Sequence, residues 1–215
     1  MRLALVLLAL GCSVVARADQ TVCQDGSCDH TSIADAIEAA ADGESIFVEA
    51  GPAAYADALV FSGRSLTLVG VGRPRIDVES VTAVSVEGGA SLTVSGFEIA
   101  APDERCVDAD ASTVLLEDVR FESCDGALRG AAVSAVDTDL EIVDCVFEGG
   151  AAVPAEGGHL WQEGGTLRIE GSEFTDGTAG NGGAICLSSV VDAHLVDTQF
   201  TDNLADTDGG ALYAT

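Results

Sequence analysis

The sequence predicts an all-β fold, a parallel β-helix closed at its N-terminal end by a short helix. Three observations carry that prediction. The first is an internal repeat: Leu92–Ile99 aligns with Val114–Phe121, Leu140–Phe147, Leu167–Phe174 and Ala193–Phe200, and Leu66 opens a looser copy. The copies start at 66, 92, 114, 140, 167 and 193, so the spacings are 26, 22, 26, 27 and 26 residues. The second is the alternation inside each copy. Branched apolar residues hold the first and third positions, small or acidic residues the middle, and usually Phe the eighth, which is strand periodicity. The third is composition: 25 Gly and only 5% aromatic residues beside 47% apolar ones suit a narrow interior and many tight corners. A unit of this length cannot bury its apolar face alone. Stacked, each strand pairs with its counterpart about 4.8 Å away and equivalent side chains form ladders inside. Roughly six to seven coils then make a rod about 30 Å long.

Along the chain, residues 1–18 read as a secretory signal peptide. Met1-Arg2 precede an apolar run, Leu3 to Leu10, and Ala16-Arg17-Ala18 forms an A-x-A cleavage site. The run is too short to span a bilayer. Ala9-Leu10-Gly11-Cys12 offers a second processing route, lipidation at Cys12. Residues 19–43 form an N-terminal cysteine loop and a capping helix. Ser32 with Asp35 makes a capping pattern, Ile33, Ala36, Ile37 and Ala40 fall on one helical face, and Asp42-Gly43 ends the helix. Residues 44–215 are the β-helix. It opens with the short strands Ile46-Phe47-Val48, Leu59-Val60-Phe61 and Leu66 to Val69, and the Gly-rich stretches after each repeat copy are turns. The chain stops in Gly209-Gly210-Ala211-Leu212, partway through a coil, which leaves that end uncapped and open to self-association.

Charge narrows the function. The 36 acidic residues face nine basic ones, all of them Arg. Removing Arg2 and Arg17 with the leader leaves 7 Arg against 36 acids, a net charge of −29. Such a surface excludes a nucleic-acid partner, and the lack of Lys excludes Schiff-base and P-loop lysine chemistry. Six cysteines remain after the leader: Cys23, Cys28, Cys106, Cys124, Cys145 and Cys186. An even number in an exported chain points to disulfides. Cys23–Cys28 is the leading pair and Cys106–Cys124 a second; Cys145 and Cys186 lie in apolar runs and read as buried thiols. Cys23, Cys28 and His30 offer three zinc-ligand types without a fourth, so no metal is assigned there.

Ser32 to Gly51, followed by Tyr55 and Gly63 to Gly70, resembles the opening of right-handed β-helix proteins of the pectin-lyase-like superfamily, in which a short helix caps the first coil. Gly182-Gly183-Ala184-Ile185, Gly209-Gly210-Ala211-Leu212 and Phe200-x-x-Asn203 resemble the GGA[ILV] and FxxN repeats of polymorphic outer membrane proteins. Gly157-Gly158-His159-Leu160, Phe121 to Cys124, Phe147 to Gly150 and Phe174 to Gly177 are degenerate versions. These resemblances imply a right-handed solenoid exported to the cell envelope or outer membrane surface, or secreted.

No catalytic constellation stands out. The fifth position of the repeat reads Gly70, Gly96, Asp118, Asp144, Gly171 and Asp197. Asp118 and Asp144, one coil apart, are the pair to test for acid–base work or for a bridging Ca²⁺ cofactor. Glu117, Glu141, Arg168, Glu170 and His194 share an outward face, where Glu141 and Arg168 are placed to pair across strands. His159 and Trp161 fall in a Gly-flanked stretch read as a turn, with Trp161 as an anchor or plug. The leading expectation is a non-enzymatic structural or adhesive surface protein whose partners are surface glycans or other surface proteins. The alternative is a polysaccharide-binding or polysaccharide-degrading protein on the same fold.

Overall fold

The structure, a computed structural model, describes residues 19–125 and 129–215. The signal peptide and Cys12 lie outside the described residues. Strands stack into a right-handed parallel solenoid. Sheet A has eight strands, from Gln20–Val22 and Ser45–Glu49 to Asp192–Val196; sheet B has six, from Arg75–Asp77 to Gln199–Thr201. Sheet C has seven, from Leu59–Ser62 to Leu212–Ala214, one for each coil. The register is the one the repeat dictates: Leu66, Leu92, Val114, Leu140, Leu167 and Ala193 stand directly over one another in sheet A. Any one-residue slip would turn each of these ladders outward.

The interior follows from that register. In sheet B the eighth repeat position stacks Ile99, Phe121, Phe147, Phe174 and Phe200, with Ile76 of the looser first copy beneath them. Phe147 lies nearly parallel to its neighbours, with ring centroids 4.7 Å from Phe121 and 4.3 Å from Phe174. Each such side chain taken from water stabilises the coil by about 1.5–3 kcal/mol.

Corners need backbone that turns sharply, and most have a residue with positive φ. Between sheets A and B these are Gly96, Asp118, Asp144, Gly171 and Asp197; entering sheet C they are Gly130, Gly157, Gly182 and Gly209. Among the non-glycine residues with positive φ, six of eleven are Asp, the type that tolerates left-handed backbone with Asn and Gly. Six of the 36 acidic residues are therefore set by corner backbone.

The N-terminal cap forms as the sequence predicts. The helix spans Ile33–Ala39, the Ser32 side chain accepts the Asp35 N–H, and Ile33, Ala36 and Ile37 are buried on the first coil. Its far end is satisfied by Arg64, which donates to the carbonyls of Ala40 at 2.7 Å and Ile37 at 3.1 Å. Both predicted disulfides are present, Cys23–Cys28 and Cys106–Cys124, and Cys145 and Cys186 are buried free thiols.

Two expectations change. The stretches after the Phe positions are not turns alone: Ala151–Glu156, Thr178–Asn181 and Leu204–Asp208 pair into a short fourth sheet, D, because stacked coils offer any in-phase segment a backbone partner. His159 and Trp161 do not form an exposed turn either. Trp161 lies on the strand Leu160–Glu163, buried beneath the Arg129 guanidinium 4.7 Å from its ring, and His159 is inside the solenoid. In the last coil Val191, Val196, Leu204 and Leu212 are exposed.

Candidate functional site

Sheet A presents its outer face as two parallel rows. One row is Thr113, Asp139, Thr166 and Asp192; the other is Leu115, Glu141, Arg168 and His194. They border a shallow groove of about 400 Å³ running along the rod axis. Strand alternation puts these side chains outward, opposite the Leu and Ile ladders, so the groove is a direct product of the repeat. Its polar groups bond one another. Arg168 Nε lies 3.2 Å from Glu141 Oε1, the cross-strand pair the sequence predicts, and the same guanidinium also holds Glu170. Thr166 Oγ1 donates to Asp139 Oδ1 at 2.7 Å, and His194 Nε2 meets Asp192 Oδ1 at 3.3 Å. All are solvent-exposed, so each ion pair contributes at most about 1 kcal/mol.

Asp118 and Asp144 lie off this groove, at the corner between sheets A and B. Arg73 reaches across the intervening coil to Asp118, bonding its carboxylate at 2.6 Å and its carbonyl at 3.2 Å. Asp144 leans the other way, over Gly171, where an added Cβ would come within 2.3 Å of its Oδ1. The two carboxylates, one coil apart in register, turn in opposite directions along the axis.

The same economy of positive charge holds across the surface. Arg75 bonds Asp77, Glu98 and Glu122; Arg120 pairs with Glu122 and Glu148; Arg105 pairs with Asp108, and Arg129 with Glu156. With Arg64 on the helix end, every Arg of the described residues is committed to an internal partner. An anionic polymer would meet a field of one sign with no guanidinium free to receive it.

The repeat motifs are explained by contacts between coils. In Gly182-Gly183-Ala184-Ile185 the first Gly needs φ of +60°, and a Cβ there would lie 2.1 Å from the Ile185 carbonyl oxygen. At Gly183 a Cβ would lie 2.2 Å from the carbonyl oxygen of Gly210 in the next coil. Ala184 and Ile185 then enter the core. Asn203, fourth in Phe200-x-x-Asn203, donates from Nδ2 to the Phe174 carbonyl at 2.8 Å and accepts from the Gly177 N–H at 2.9 Å, satisfying the corner of the preceding coil.

These are the residues where comparison with known proteins finds a match. Residues 197–215 match the Chlamydia polymorphic membrane protein repeat. This chain is a parallel β-helix that carries the polymorphic membrane protein repeat. The matched segment runs from the corner residue Asp197 through Phe200, Asn203 and the Gly209-Gly210 pair, so it takes in the sheet B, D and C segments of the last coil and not its sheet A strand, Asp192–Val196. No curated protein and no solved structure matches the chain.

Sequence reasoning missed two sites. Arg129, Trp161 and Cys186 form a covered cluster on the outer face of sheet C, since Trp161 and Cys186 are register partners. Near the cap, Cys23, Cys28 and Glu49 are the one group of three metal-ligating side chains that converges among the described residues, their ligand atoms all within 4.8 Å of one another. His30 is not part of it and bonds Gln20 Oε1 at 2.9 Å. No helix of the described residues is long and apolar enough to cross a membrane.

Proposed function

We propose that this chain is an exported, non-enzymatic rod with a structural or adhesive role at a cell surface. The observation that carries the reading is the polymorphic membrane protein repeat at residues 197–215, within a stack of like coils. A committed Arg set and exposed, self-paired polar rows support it, because they suit a solvated stalk or contact surface. Cell fractionation, protease accessibility on intact cells and mass spectrometry of the mature N-terminus test it. The expected result is a protease-accessible envelope or extracellular protein beginning at Asp19 or at a lipidated Cys12. A cytosolic protein retaining Met1 would overturn it.

A second reading rests on the sheet A groove, which spans the strands from Thr113–Glu117 to Asp192–Val196 and is open enough for an extended neutral glycan, or an acidic one bridged by Ca²⁺. Incubation with pectin, alginate and related polymers, with and without Ca²⁺, separates the two. Bond cleavage abolished by Asp139→Asn or Glu141→Gln in the groove, or by Asp118→Ala or Asp144→Ala at the corner beside it, would replace the structural reading with an enzymatic one. A melting temperature unmoved by millimolar Ca²⁺ removes the calcium site.

The exposed last coil also supports self-association. The opposite end is covered by the helix, so two copies would meet through their last coils, about a two-fold axis. After Arg168 come eight acidic residues and no Arg; such ends repel, and pairing strengthens as salt screens them. Sedimentation at high protein concentration should show a dimer favoured by salt. A monomer at every ionic strength would refute the contact.

A further inference from the structure

We infer that the Cys23–Cys28 loop is a redox-gated site for a thiophilic divalent cation, zinc by its chemistry, completed by the Glu49 carboxylate. Backbone pairing places the three groups together. Gln20, Thr21 and Val22 align with Ile46, Phe47 and Val48, so the next residue on each strand, Cys23 and Glu49, come side by side. The loop is then held by bonds that do not depend on sulfur. The Cys23 N–H donates to the His30 carbonyl at 3.1 Å, the Ser27 N–H to Asp25 Oδ1 at 2.9 Å, and Gln24 bonds the backbone of Ala53 through both ends of its amide, at 2.9 and 3.2 Å. Opening the disulfide therefore leaves both sulfurs beside Glu49.

The ligand chemistry fits. Two thiolates and a carboxylate around tetrahedral zinc sit about 3.5–3.8 Å apart, given bonds of about 2.3 Å to sulfur and 2.0–2.2 Å to oxygen. The three ligand atoms here already lie within 4.8 Å of one another. Glu49 is exposed and Cys28 only half-buried, which leaves a fourth position to water. The acidic surroundings draw a cation in. The other disulfide is sealed: Cys106 and Cys124 are 0% and 2% exposed.

The exchange balances as follows. A dithiol reductant attacks Cys28 Sγ as a thiolate and releases Cys23 Sγ; its second thiol then displaces Cys28 Sγ and closes the reductant's own disulfide. Two electrons pass to the cystine, and the two protons of the dithiol end on Cys23 and Cys28. Zn²⁺ displaces those two protons on binding. Disulfide and metal are thus mutually exclusive states of one loop, and the metal, unlike the disulfide, ties that loop to Glu49 on the next strand.

The test uses the full mature chain and Zn²⁺ alone, read by native mass spectrometry and by competition with a chromophoric chelator. The oxidised protein should bind none, the protein treated with a dithiol one Zn²⁺ per chain, and Glu49→Gln should weaken that binding about tenfold or more. Absence of uptake after reduction, uptake surviving in the Cys23→Ser/Cys28→Ser double variant, or an unchanged affinity in Glu49→Gln would each overturn the site. Should the double variant not fold, alkylation of the reduced wild-type chain decides: bound Zn²⁺ protects Cys23 and Cys28 from iodoacetamide, and equal labelling with and without Zn²⁺ refutes the proposal.

Discussion

Replacing Asp144 by Gly, Ala and Val separates a carboxylate kept for its chemistry from one kept for its backbone. Asp144 has φ of +51° at the corner between sheets A and B, where the neighbouring coils use Gly96, Asp118, Gly171 and Asp197. Left-handed backbone costs an L-residue about 1–2 kcal/mol. Glycine escapes that strain but loses about 0.5–1 kcal/mol in unfolded-chain freedom. Asp144→Gly should therefore be neutral or stabilise by up to about 1.5 kcal/mol, the difference of those two terms. Val, β-branched and an outlier at positive φ, should destabilise the most, with Ala between. Asp118→Gly should fall below Asp144→Gly by the worth of the exposed Arg73 pair, about 0.2–1 kcal/mol. Urea unfolding followed by circular dichroism measures all four, provided the slopes agree. If Asp144→Gly lost more than about 1 kcal/mol, or if Val equalled Gly, the corner explanation would fail and the carboxylate itself would need a role.

Other perturbations probe the stack. Phe147→Ala removes the ring between Phe121 and Phe174 and should cost about 3–5 kcal/mol, lowering the melting temperature by roughly 6–20 °C in a chain of this size; Phe200→Ala, on the half-buried last coil, should cost clearly less. Gly183→Ala should destabilise by about 1–3 kcal/mol through overpacking, because its Cβ would meet the Gly210 carbonyl oxygen at 2.2 Å, whereas Gly210→Ala, with 3.8 Å to its nearest neighbour, should be close to silent. Burial pushes His159 down to about 4 from its ordinary 6.5. The unfolded chain thus binds the proton first, so this stability is complete above about pH 6.5 and is lost as pH falls toward 4, on the order of 3 kcal/mol in all. The difference between wild type and His159→Leu in pH-dependent unfolding isolates that contribution from the carboxylates; parallel curves would refute it. Burial raises the Cys145 thiol to about 12 and the Cys186 thiol to about 11, so neither should react with iodoacetamide at pH 8 until the chain unfolds.

What could be read from the sequence was whatever repeats. The ladder from Leu66 to Ala193, the Glu141–Arg168 pair and the cap at Ser32 are consequences of period and local pattern, both printed in the residues. Corner Asp residues were visible as a column, but acid type does not reveal a backbone angle; only the mixture of Gly and Asp at one position hinted at it. Sheet D was not legible, since Ala151–Glu156 lacks alternation and contains Pro154. Glu49 was invisible as a neighbour of Cys23 and Cys28, because that contact depends on pairing between strands about 26 residues apart in the chain.

The motif departures that look like decay are matched to one another in space. His159 replaces the Ala of the GGA corner, and an imidazole in that position needs room in its own coil and in the next. It finds that room at Gly150 and Gly177, two of the three positions where the FxxN pattern has lost its Asn: a Cβ at Gly150 would lie 2.5 Å from His159 Nδ1, and one at Gly177 2.7 Å from its Cδ2. The ring then rests against Phe147 and Phe174 at 5.9 Å, and Nε2 donates to the Thr175 carbonyl at 3.0 Å. Where the corner residue returns to Ala, at Ala184 and Ala211, Asn returns as well, at Asn203, and bonds the Gly177 corner instead. Two coils of this solenoid thus close their corners differently, that of Gly177 with an Asn from the following coil and that of Gly150 with a His from within. At these two coils the constraint on the motif is a shared volume and a shared set of backbone hydrogen bonds, so the His159 departure and the loss of Asn at Gly150 and Gly177 compensate one another.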